Sequence, residues 1–219
     1  MRLARAPLLE LYQRLLRAYG HQYWWPADSA FEIMVGAILT QNTSWKNVEK
    51  AIVKLKAANC LDARSMHALE IEDLAELIRS SGYYNVKAQR LKNYINWYSE
   101  AGEYRYLAGL ETNILRQQLL SVKGIGPETA DDILLYAFKR PVFVIDVYTR
   151  RLLLSTGLIE VEENYEVLRQ AIETALEPNA QLFNEYHALI VRHGKEPCST
   201  LNKKDRNDCR HCQVEKPLG

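Results

Sequence analysis

The chain has 219 residues, 47% of them hydrophobic and 25% charged, with a formal net charge of +1. This length suits one domain or two small lobes, and the composition excludes a disordered chain. No run approaches the roughly 18 consecutive apolar residues of a membrane span, and near-neutrality leaves little long-range attraction for nucleic acid, so any DNA-binding charge must be segregated locally.

Residues 1–19 are basic at the start but lack an apolar run ending in a cleavage site. Leu8, Leu11, Leu15 and Tyr19 instead fall on one side of a helix. The expectation is a cytoplasmic, nucleoid-associated protein, monomeric for want of any oligomerisation signal, with its four cysteines outside disulfides. Apolar residues recur at three- and four-residue spacing in 29–39, 48–56, 71–79, 88–98, 112–120, 128–138 and 164–175, and the segment at 30–39 is apolar almost all round, as a buried helix requires. Only Val142–Phe143–Val144–Ile145 looks strand-like, and it is too short to build a sheet. The fold class is all-α.

The most informative stretch is LLSVKGIGPETADDILLYA, residues 119–137. A helix ends near Val122, a Gly124–Ile125–Gly126 turn follows, and Pro127 opens the next helix where its missing N–H costs least. Two glycines so close allow tight backbone, so that several N–H groups can point outward together toward an anion such as a DNA phosphate. A plain helix corner without a ligand is the alternative. Asp146 follows in FVIDVYTRRL (143–152), where it can cap the helix that begins there.

This stretch resembles the helix-hairpin-helix signature of the HhH-GPD DNA glycosylase superfamily, and 143–152 resembles that superfamily's aspartate element. VGAILTQNTSWKNVEKAIVKL (35–55), SGYYNVKAQRL (81–91) and ALIVRHGKEPC (188–198) resemble further endonuclease III-like segments in the same order. The resemblance implies a two-lobed helical fold with its active site in the cleft between lobes. One lobe, 27–139, would hold six helices with the hairpin; the other would combine 1–26 with 140–219 and carry the catalytic aspartate and the cysteine-containing loop. It implies a base-excision repair enzyme acting on double-stranded DNA with damaged bases.

Within that resemblance, Asp146 is the catalytic carboxylate, steadying positive charge on the sugar as the N-glycosidic bond breaks. Glu128 stands where bifunctional members carry the Schiff-base lysine, and a glutamate cannot form an imine. Trp24, Trp25 and Trp45, with GIGPETADDIL, resemble the 3-methyladenine DNA glycosylase III branch. Tryptophans suit a cationic alkylated purine, by stacking and cation–π attraction of roughly 0.5–2 kcal/mol per contact. Gln41 and Tyr83 match the residues that wedge into the duplex once a base is flipped out. Lys123, Gly124, Ile125, Gly126 and Thr129 would hold the DNA backbone, with Lys87, Arg90, Lys92, Arg150 and Arg151 as further phosphate contacts. The expected activity is hydrolysis of alkylated purines without strand cleavage. Another lesion or mismatch specificity and a noncatalytic damage-binding module are the alternatives.

Cys198, Cys209 and Cys212 are spaced C-x10-C-x2-C, whereas the endonuclease III cluster uses four cysteines, and Leu218 stands where the fourth would fall. A 4Fe-4S cluster with three cysteines and an unidentified fourth ligand, a zinc site and a loop without metal all remain open. None of them is needed for the chemistry.

Overall fold

A computed structural model describes residues 1–196 and 210–218. Among these residues every regular element is helical, and no helix is long and apolar enough to cross a membrane. The first helix, α1 (Arg5–Tyr19), buries Leu8, Leu11 and Leu15, the stripe its periodicity marks. The chain divides into two compact units, Trp25–Phe138 and Met1–Trp24 with Lys139–Gly219.

The unit Trp25–Phe138 is built around α2 (Ala30–Leu39). Ser29 caps it by accepting the Glu32 N–H at 3.1 Å, and Met34, Val35, Ala37, Ile38 and Leu39 are all buried. Each large aliphatic so placed contributes roughly 1.5–3 kcal/mol. Gly36 leaves room for the Trp25 indole, since a Cβ there would stand 2.9 Å from the ring. Helix α3 (Trp45–Ala57) turns Val48, Ala51, Ile52 and Leu55 inward. The short helices α4 (Ala63–Ala68) and α5 (Ile71–Leu77) and a 3-10 turn at Arg79–Ser81 lead to α6 (Tyr84–Glu100), which buries Ala88, Leu91, Tyr94 and Ile95. After α7 (Glu103–Leu107) come α8 (Thr112–Ser121) and α9 (Pro127–Asp132), the two arms of the hairpin. Helix α9 continues into a π-helical turn, Ile133–Ala137, in which the Phe138 N–H reaches the Ile133 carbonyl at 3.2 Å.

The unit made from the two chain ends contains α1, α10 (Val147–Ser155), α11 (Tyr165–Leu176), α12 (Ala180–Lys195) and α13 (Arg210–Val214). Helix α12 packs on α1 and α10, and buries Phe183, Tyr186, Leu189 and Ile190. The strand-like run Val142–Ile145 is fully buried but pairs with no strand among the described residues. Side chains satisfy part of its backbone instead: the Phe143 N–H donates to Glu173 at 2.8 Å.

Candidate active site

The hairpin is braced from inside its own unit. Asp131, fully buried at the end of α9, accepts two hydrogen bonds from Arg116 of α8, at 2.7 and 3.0 Å. Such bidentate pairs fix orientation as well as distance. Ile125 is buried in the turn, while Lys123, Gly126 and Pro127 are exposed, and Gly124 adopts a left-handed φ of +101°. Lys123 therefore points its charge outward from the turn, where phosphate would be met. Thr129, by contrast, is buried, and its hydroxyl accepts a hydrogen bond from Gln41 at 2.9 Å. Glu128 is exposed in the first turn of α9, where a carboxylate favours the helix dipole.

The two loops expected to probe DNA differ sharply. Gln41 is half-buried: its amide nitrogen donates to the Gly124 carbonyl at 3.2 Å and to Thr129, and its carbonyl accepts from Arg90. Tyr83 is 71% exposed and sits at φ +47°, a conformation that a bulky non-glycine residue rarely adopts. Strain of this kind costs on the order of 1–3 kcal/mol and concentrates where function holds it.

Trp25 and Trp45 meet edge to face, ring centres 4.8 Å apart and planes at 89°. Perpendicular rings offer no pair of parallel faces, so these two do not sandwich one base. Trp25 also packs on Tyr136 at 5.2 Å and on Gly36, which makes it chiefly a packing residue of its unit. Trp45 donates its indole N–H to Glu49 at 2.8 Å, and both tryptophans border a cavity of about 330 Å3. Trp24, half-buried, closes the N-terminal segment of the other unit.

Asp146 belongs to that second unit. It caps α10, accepting the Thr149 N–H at 2.7 Å, and is 9% exposed. One carboxylate oxygen lies 3.6 Å from Nε2 of His187, a buried residue of α12. Burial pushes the carboxyl up, but the nearby His187 imidazole, together with the Thr149 N–H, outweighs it, so the group lies below its ordinary value of 3.8. Asp146 is thus held as an anion. The sequence reading misses His187, because a histidine within a helical apolar pattern looks like any other core residue.

Several basic candidates prove to be structural. Lys87 is 1% exposed and donates to the carbonyls of Leu39 and Ser81, so it cannot reach a phosphate. Lys92 donates to the carbonyls of Met66, His67 and Leu69 at the end of α4, and Arg150 to that of Glu163. Lys123 and Arg151 keep exposed positions.

Of the three candidate cluster ligands, Cys198 and Cys209 lie outside the described residues, while Cys212 sits half-buried on α13. Close to it, His193, His211 and Glu215 bring ligand atoms within 4.8 Å of one another, and Nδ1 of His193 pairs with the Tyr19 hydroxyl at 2.9 Å. These three residues offer nitrogen and oxygen donors, which a zinc-type ion accepts.

Residues 35–178 match the family model of HhH-GPD superfamily base excision DNA repair proteins. The chain is 43% identical over 211 residues to a Methanocaldococcus jannaschii protein provisionally named as a DNA repair glycosylase, covering 95% of this chain and 94% of that one. It resembles the crystal structure of H. pylori 3-methyladenine DNA glycosylase bound to 1,N6-ethenoadenine, with a TM-score of 0.74 and 31% identity, covering 86% of this chain and 97% of that one. An endonuclease III–DNA complex shares the fold with a TM-score of 0.76 at 16% identity, over 97% of this chain and 95% of its own. Hairpin, capped aspartate and all-α architecture thus stand together with a family match over most of the chain: the protein belongs to the HhH-GPD superfamily and is a DNA repair glycosylase of that group.

Proposed function

We propose that the protein is a monofunctional glycosylase that removes alkylated purines of the 3-methyladenine type from duplex DNA, acts as a monomer and leaves an abasic site. The observation that carries this reading is Glu128, an exposed carboxylate where bifunctional relatives need an amine, combined with a buried anionic Asp146. The 31% identity to a 3-methyladenine glycosylase over most of both chains supports the choice of substrate.

A purine alkylated at N3 or N7 is cationic, so it departs with the bonding electron pair as a neutral base. The C1′–N bond breaks, positive charge gathers on the sugar, and water adds at C1′ and loses a proton. A carboxylate held below its ordinary pKa is a weak base, so Asp146 serves mainly to stabilise the sugar cation. Trp45 offers an indole whose N–H is held by Glu49, an arrangement that enriches the ring in electrons and favours a cationic base. Tyr83 would fill the gap left in the duplex, and the turn 123–126 with Lys123 would hold the backbone. The reading assigns no step to a metal; an ion held by Cys198, Cys209, Cys212 or their neighbours would serve the structure.

The test is release of base from methylated, uracil-containing and mismatched duplexes. Release from the methylated duplex alone is expected. Release only from another duplex would reassign the substrate, and DNA binding without release from any would make the protein a damage-binding module.

A further inference from the structure

Residues 87 and 90 lie one turn apart at the start of α6, and their long cationic side chains run to three separate segments. Lys87 Nζ donates to the Leu39 carbonyl at 2.8 Å, at the end of α2 just before the Gln41 loop, and to the Ser81 carbonyl at 2.6 Å, just before Tyr83. One buried ammonium therefore ties the roots of both loops together. The Arg90 stem lies against Gly124 of the hairpin, where a Cβ would come within 3.0 Å of Cδ and closer still to Cγ, and its guanidinium donates to the Gln41 carbonyl. Gln41 in turn donates both amide hydrogens to the hairpin, at Gly124 and Thr129. Both of its donor hydrogens and one acceptor site of its carbonyl are engaged within the protein, while Tyr83 has none of these contacts and stands in solvent.

The geometry points to Lys87 and Arg90 as positioning residues that join the Gln41 loop, the Tyr83 loop and the hairpin into one rigid DNA-engaging edge, with Gln41 as a brace of that edge and Tyr83 as its probe. This rests on the base-flipping reading of the proposed function. A rigid edge matters because the bend that exposes an unpaired site must be gripped at the phosphates and filled at the gap simultaneously. The two actions stay in register only if their supports do not move apart. In this arrangement Arg90 commits its Nη1 to Gln41, and its effect on DNA passes through Gln41.

The experiment is a double-mutant cycle of Arg90→Met and Gln41→Met, with Lys87→Met measured alongside. The readouts are the affinity ratio for a duplex carrying a tetrahydrofuran abasic analogue over an intact duplex, its salt dependence, and the thermal unfolding midpoint. Wild-type protein is expected to prefer the abasic analogue. Each single variant should lower that preference about tenfold and the double variant by no more than either, as for residues acting in series. The salt slope should stay unchanged in Arg90→Met, because no phosphate contact is lost. Losses that multiply to about a hundredfold, a preference unaltered in Arg90→Met, a wild type without preference, or a slope reduced by about one would each overturn the assignment. Base release from methylated duplex is scored separately: an inert wild type would remove the alkylated-purine reading, while the binding cycle would still decide the brace. Should Lys87→Met unfold, the half-buried Arg90 and Gln41 carry the test.

Discussion

Gly124 of the hairpin lies directly on the side chain of Arg90, so close that a Cβ at position 124 would overlap the arginine stem. The same glycine holds φ at +101°, so it is required both for its conformation and for its lack of bulk. Gly124→Ala should destabilise the protein by about 1–3 kcal/mol, combining the positive φ with displacement of Arg90. It should also weaken DNA binding beyond what the stability loss explains. Thermal unfolding together with duplex affinity measures both; a variant as stable and as tight as wild type would contradict the contact.

Asp146→Asn keeps an oxygen for the Thr149 N–H and removes the charge. Folding stability should fall by no more than about 1 kcal/mol, while single-turnover base release should slow by about 100-fold or more. Normal release by this variant would discard the carboxylate mechanism.

The pH dependence has a definite sign. Because the folded-state pKa of Asp146 lies below 3.8, its stabilising contribution is complete above that value and is lost as pH falls through the folded pKa. Base release should therefore show no acid limb attributable to Asp146 at pH 5 and above, near neutrality or below it. A profile collapsing between neutrality and about pH 5 would indicate that the catalytic carboxyl is not the one held by His187 and Thr149.

Incubation with abasic DNA and borohydride should yield no covalent adduct, since Glu128 supplies no amine. A trapped adduct, mapped to any lysine, would make the enzyme bifunctional.

Trp45→Ala should reduce release of a cationic alkylated base by about 10-fold or more, and Trp45→Phe should recover part of it, because a phenyl face keeps some of the cation–π attraction. Trp25→Ala should instead act first on stability, by about 3–5 kcal/mol, since Trp25 packs on Tyr136 and Gly36. A reversal of the two patterns, read by unfolding and base release, would exchange their roles.

Helical periodicity, the Gly124–Ile125–Gly126 turn with Pro127, and the order of the motifs were all legible in the chain itself, because each depends on residues a few positions apart. The all-α class and the superfamily follow from them. What faces water, and what faces another part of the chain, was not legible. Lys87 reads as a surface cation until it meets the Leu39 carbonyl, 48 positions away. The hydrogen bonds from the Gln41 amide to the hairpin cross more than 80 positions of sequence, and His187 reads as core until α12 sets it beside Asp146. Val142–Ile145 has the residues of a strand and no partner for one among the described residues. A backbone pattern is local, whereas the partner of a polar side chain is chosen by whichever distant segment the packing brings within about 3 Å.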